Sequence, residues 1–112
     1  MDEERLADRH CEPCHGGIPP LNEAQSRVLV ADTPLWKICS DGAAIEREFS
    51  FRDFHQTMAF VNAVAWIAHR EDHHPDLEVG YNRCRIQYST HAIDGLSEND
   101  FICAARIDAL LL

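Results

Sequence analysis

The sequence predicts an α+β domain, a four-stranded antiparallel sheet with helices packed on one face, and three observations carry that reading. Two short runs with period-two alternation, 35–40 and 44–49, flank Asp41-Gly42, the strongest short-range hairpin signal a sequence can hold. A long apolar stretch, 51–71, repeats with helical period instead. Strand-like alternation then returns at 81–89, before a final run opened by a helix cap. The resulting order is helix, strand, strand, long helix, strand, strand, helix.

Taken in order, residues 1–20 are a polar arm and residues 21–112 a single domain. Two glycines and three prolines between Cys11 and Pro20 rule out a regular element in the arm. A short helix spans Leu21 to Ala31, with Asn22 as its cap and Ala24, Val28 and Ala31 near one face. Asp32-Thr33-Pro34 ends it. In the return strand of the hairpin, Ile45 and Phe49 share one face, and Glu46 and Glu48 the other. Ser50-Phe51-Arg52-Asp53 reads as a capping box opening the longest helix, Phe51 to Glu71. Phe54, Met58, Val61, Ala65 and Ala68 form a stripe on it, which Phe60, Val64 and Ile67 widen past one face. So apolar a helix is expected to bury two sides, one on the sheet and one either on a second copy of the chain, as in a homo-oligomer, or deep in the domain's own core. Pro75 stops the helical trend and forces His74 into an extended conformation. A short extended piece at Leu77–Val79 and a long strand at Tyr81–Ser89 follow, the latter with Cys84, Ile86 and Tyr88 on one face. Ser97-Glu98-Asn99-Asp100 is a second capping box, and Phe101 to Leu111 closes the chain as a helix.

Composition narrows the function. The chain has 112 residues, enough for one modest core, and a net charge of −9 that would repel a phosphate backbone. No apolar run is long enough to span a bilayer, and the acidic start Met1-Asp2-Glu3-Glu4 lacks the apolar region of a secretory leader. The expectation is therefore a cytoplasmic protein with no nucleic-acid or membrane partner. Its five cysteines, Cys11, Cys14, Cys39, Cys84 and Cys103, should then be free thiols, several of them small core residues.

The chemistry concentrates between Glu71 and Asp100. Three of the seven histidines lie there, His73, His74 and His91. Imidazoles titrate near neutral pH, so three brought together could donate and accept protons. His73 and His74 sit in a turn ended by Pro75, and His91 sits at the end of a strand, positions at which a scaffold commonly holds functional groups. Asp100, third residue of a capped helix, has a structural task in addition. Metal chemistry is the competing reading. His69 and His73 have the i, i+4 spacing that lets two imidazoles share a cation, with His74 and His91 to complete the shell, but no His-Glu-x-x-His arrangement is present. In the arm, Cys11-x-x-Cys14-His15 matches covalent haem attachment, which needs an oxidising compartment. A zinc site from His10, Cys11, Cys14 and His15 has suitable ligand types crowded into six residues, without a second pair at the usual spacing.

The run His73-His74-Pro75, then Tyr81, then Ser89-Thr90-His91, then Gly95-Leu96-Ser97-Glu98 and Asp100 resembles the pterin-4a-carbinolamine dehydratases, over roughly residues 20–112. The arm is similar to that of some bacterial members. The resemblance implies a lyase that dehydrates 4a-hydroxytetrahydrobiopterin to quinonoid dihydropterin in tetrahydrobiopterin recycling. It implies neither a metal nor an organic cofactor, while the apolar long helix leaves homodimer and homotetramer both open. His73 and His91 would be the acid/base groups, with His74 mainly holding substrate and Asp100 orienting the site. Pro75, Ser89 and Thr90 would help to bind the pterin. Animal relatives also act as dimerisation partners of a transcription factor, so the alternative implied is a non-catalytic co-regulator acting through the long apolar helix. Three positions depart from the family pattern. His69 stands where many members have Glu, Leu77 where animal members have Trp, and Asn99 where animal members have Arg.

Overall fold

The computed structural model describes residues 5–13 and 16–111. Its elements are α1 (Glu23–Val30), β1 (Lys37–Cys39), β2 (Ala44–Ser50), α2 (Phe54–Glu71), β3 (Asp76–Val79), β4 (Arg83–Tyr88) and α3 (Glu98–Ala109), in the predicted order. The four strands form one antiparallel sheet in the order β1-β2-β4-β3. Alternation decides which face is covered. Ile45 and Phe49 of β2 lie in register with Tyr88 and Cys84 of β4, and all four side chains are buried. Phe60 and Val64 of α2 and Phe101, Ile102 and Ile107 of α3 join them in one core, each large side chain contributing roughly 1.5–3 kcal/mol. The opposite face is a charged ladder. Arg85 bonds both Glu46 and Glu78, and Arg83 bonds Glu48 at 3.1 Å.

Asp41-Gly42 does turn the hairpin, with Cys39 paired to Ala44 across a tight 3-10 turn. Asp41 and Gly42 both adopt positive φ there, at 56° and 90°, which suits Asp and Gly at these two positions.

Three local readings are corrected. Ser50 does not cap α2, because it is the last residue of β2, paired with Arg83. The cap is Asp53, whose carboxylate accepts from the Gln56 N–H at 2.9 Å, while Gln56 accepts from the Arg52 N–H. The buried stripe of α2 is Thr57, Phe60, Val64 and Glu71, rotated from the expected one. Phe54 and Trp66 are exposed by 47% and 60%, since the sheet takes only the Phe60–Val64 side. In α1, Asn22 and Gln25 form the expected capping pair, yet the buried residue is Ser26 while Val28 is 70% exposed.

The arm packs on the domain. Leu6, in a 3-10 turn over Leu6–Asp8, is buried in the core, and Cys11 packs against the same cluster. Among the described residues Cys11, Cys39, Cys84 and Cys103 are free thiols, as expected. No helix is long and apolar enough to cross a membrane among those residues. Cys14 and His15, on which the haem and arm-zinc readings depend, lie outside the described residues.

Candidate active site

The end of α2 builds the first half of the site. Asp72 takes the left-handed conformation at φ 51°, and the His73 N–H reaches back to the Ala68 carbonyl at 3.1 Å. This is the hydrogen-bond pattern that terminates a helix with a left-handed residue. The helix therefore stops at Asp72, before Pro75 acts, and the chain turns His73 inward. His73 and His69 consequently do not share a helical face. The His69 ring instead lies 5.8 Å from that of Trp66. Among the described residues, no group of three or more His, Cys, Asp or Glu is arranged to hold a metal ion.

The start of α3 builds the second half. Asp100 is fully buried, and its carboxylate is divided between two tasks. One oxygen, Oδ2, accepts from the Ser97 N–H at 3.0 Å and from the Thr90 hydroxyl at 2.8 Å. The Thr90 oxygen in turn accepts from the Ser97 hydroxyl at 2.7 Å. The other oxygen, Oδ1, meets His73 Nε2 at 2.6 Å, a charge-assisted distance. The His73 ring also stacks on Tyr88, 5.3 Å between centroids and 11° from parallel, and the Tyr88 hydroxyl donates to the His73 carbonyl. Backbone, ring face and ring nitrogen of His73 are thus all fixed.

This environment sets the charge of His73. Burial disfavours the imidazolium, but the Asp100 hydrogen bond and negative charge outweigh it, raising the His73 pKa above the ordinary histidine value.

His73, His74, Ser89, Thr90 and His91 line one cleft of about 460 Å³, within the roughly 300–1,000 Å³ of small-molecule sites. His74 is exposed, as is His91, which opens a 3-10 turn over His91–Ile93, and their rings lie 6.4 Å apart. Asp100 stands behind His73 rather than in the cleft, and Thr90 spends its hydroxyl on Asp100. Pro75 lies just beyond the lining residues.

The sequence reading missed the part of the cleft lining that comes from the arm: Cys11, Glu12 and Pro13. It also missed Tyr88 as the platform under His73, and Asn99 and Glu71 as the residues that bond the arm. The Cys11–Cys14 pattern drew attention to this segment, but for haem and zinc rather than for a wall.

Comparison with known proteins shows the family and the fold. The model of the family described as pterin 4 alpha carbinolamine dehydratase matches residues 19–110. A relative from Nitrosomonas eutropha, named for that family, is 57% identical over 108 residues, covering 96% of this chain and 94% of its own. One from Legionella pneumophila, likewise named, is 54% identical over 108 residues and 96% of both chains. A crystal structure from Brucella melitensis, described as a transcriptional coactivator/pterin dehydratase, superposes with TM-score 0.77 at 30% identity, covering 81% of this chain and 97% of that one. A pterin dehydratase-like protein described as a RuBisCO assembly factor of the alpha-carboxysome superposes with TM-score 0.59 at 26% identity, over 67% of this chain and 87% of that one. With its sequence matched over 96% of its length and its fold over 81%, the chain belongs to the pterin-4a-carbinolamine dehydratase family.

Proposed function

We propose that this protein is a hydro-lyase that dehydrates 4a-hydroxytetrahydrobiopterin to quinonoid dihydropterin, in tetrahydrobiopterin recycling. The observation that supports it most is the His73–Asp100 bond of 2.6 Å at the wall of a cleft shared with His74 and His91. The reaction removes a hydroxyl from C4a and a proton from N5. The N5 lone pair expels the C4a oxygen, an imidazolium protonates it to water, and a neutral imidazole takes the N5 proton. Asp100 favours the charged form of His73, which suits His73 to the acid role. His91, on the open side of the cleft, suits the base role. His74 and Ser89 hold the pterin, Pro75 fixes the turn that presents His74, and Thr90 acts through Asp100. Every step moves only protons and the substrate's own electron pairs.

The test is stopped-flow decay of freshly generated 4a-hydroxytetrahydrobiopterin with native protein, the His73→Ala/His91→Ala variant, and buffer. Acceleration by native protein that disappears in the double variant is expected. Decay no faster than buffer would overturn the proposal.

A second reading draws on the exposed Trp66 of α2. The side of the helix that carries it would hold a homodimer or homotetramer, or a partner in a non-catalytic co-regulator role. A His73→Ala variant with full biological effect would favour that role.

A further inference from the structure

We propose that Asn99 and Glu71 are positioning residues that clamp the N-terminal arm across the ends of α2 and α3, making the arm a wall of the substrate cleft. Asn99 pairs with Glu12 as one strand residue pairs with another. Its side-chain oxygen accepts from the Glu12 N–H at 3.0 Å, and its side-chain nitrogen donates to the Glu12 carbonyl at 2.6 Å. Glu71 holds the preceding residues. Its carboxylate accepts from the Cys11 N–H at 2.7 Å and bonds His10 Nδ1 at 3.0 Å, with Arg106 at 3.7 Å. Arg106 also donates to the Arg9 carbonyl, and Cys11 Sγ rests 3.5 Å from Cys103 Sγ.

The placement of the two latches gives them their consequence. Asn99 is the residue before Asp100, and Glu71 lies two before His73. The arm therefore bridges the two segments that supply the His73–Asp100 pair. It also brings Cys11, Glu12 and Pro13 into the lining of the cleft that holds His73, His74 and His91. Buried Asn99 and Glu71, exposed by 7% and 8%, are side chains that a merely solvated arm would not need. An Arg at position 99 would offer donors only and could not reproduce the paired contact to both Glu12 backbone groups.

The experiment uses the full chain and two independent readouts. The kinetic one rests on the proposed dehydratase activity, whereas the chemical one does not. The chemical readout is the rate at which iodoacetamide alkylates Cys11, mapped by mass spectrometry. In the native protein the Cys103 contact and burial both push the Cys11 thiol up, so labelling should be slow. Asn99→Ala and Glu71→Ala should each free the arm and speed Cys11 labelling by about tenfold. Both should raise KM for the carbinolamine while leaving kcat within about twofold, as expected when a binding wall is lost rather than a reacting group. Asp53→Ala is the control. It removes the cap of α2, the bond to the Gln56 N–H at 2.9 Å, at the other end of the helix from Glu71, so it destabilises without touching the arm, and it should change neither readout. Unchanged Cys11 labelling in both clamp variants would overturn the clamp. Faster labelling with unchanged KM would overturn the arm's role as a wall. Equal effects in Asp53→Ala would reduce both results to general destabilisation and overturn the assignment. If native protein shows no turnover, the dehydratase reading fails by itself, and the labelling rates still decide whether the clamp exists.

Discussion

Asp100 carries a structural and an electrostatic task on separate oxygens, so one substitution can part them. Asp100→Asn preserves the shape and leaves an oxygen for Ser97 and Thr90, but it removes the negative charge facing His73. Burial then faces only the smaller pull of Cys103 and Asp72, and the His73 pKa should fall from its raised position. As the acid, His73 would be too little protonated at neutral pH, and activity should drop by about 10²-fold. The alkaline limb of the pH–rate profile should move to lower pH, and a proton NMR titration of His73 should move with it. Stability follows the same sign. A pKa raised on folding contributes stability that is fully present below the unfolded value of about 6.5 and is lost as pH rises through the folded value. The gap in thermal midpoint between native and Asp100→Asn should therefore be widest near pH 6 and narrow toward alkaline pH, about pH 9. A gap that widens with pH would contradict the raised His73 pKa. Chelation is the other residue-level check. The proposed mechanism moves only protons, so EDTA should leave activity intact, and loss restored by added zinc would return His69, His73, His74 and His91 to consideration as ligands.

Helix starts show what local sequence can and cannot decide. Ser50-Phe51-Arg52-Asp53 has the composition of a capping box, yet Ser50 is committed to the β2–β4 ladder and Asp53 caps α2 from three residues further on. Asp53→Ala should therefore lower stability by about 1 kcal/mol, read as a shift in urea midpoint, whereas Ser50→Ala should change it by less than about 0.5 kcal/mol. The reverse order would restore Ser50 as the cap. Asn22 and Ser97 were legible as caps because no strand competes for them. The covered sheet face was legible as well, since Ile45, Phe49, Cys84, Ile86 and Tyr88 alternate without ambiguity. The buried stripe of α2 was not. Apolar residues surround that helix, and only the position of the sheet selects Phe60 and Val64 over Phe54 and Trp66. The site divides in the same way. His73, His74 and His91 stood out by residue type and spacing, whereas Tyr88, Asn99 and Glu71 act through contacts 15 or more residues apart. Tyr88 in particular looked like one more core aromatic of β4.

At the scale of the whole molecule, the unused face of α2 meets the charge of the chain. Trp66 is 60% exposed on a chain with net charge −9. A second copy packed over it would remove a large aromatic side chain from water while bringing two acidic chains together. The first effect drives assembly and the second opposes it over about 10 Å at moderate ionic strength. If the homo-oligomer proposed above forms through α2, raising salt should strengthen it, the opposite of an assembly held by ion pairs. Light scattering should give a multiple of the 12.7 kDa chain mass for native protein. Trp66→Glu removes a central aromatic and adds a negative charge to each copy, so it should weaken assembly by at least about 30-fold, equivalent to about 2 kcal/mol. Its scattering mass should fall toward one chain, most completely at low salt. Catalysis within one cleft should survive, because Trp66 lies outside the residues that line it. A native mass of one chain at every salt concentration would leave α2 without a second copy. The exposed Trp66 would then point to a different protein partner, with Trp66→Glu as the variant that should fail to bind it.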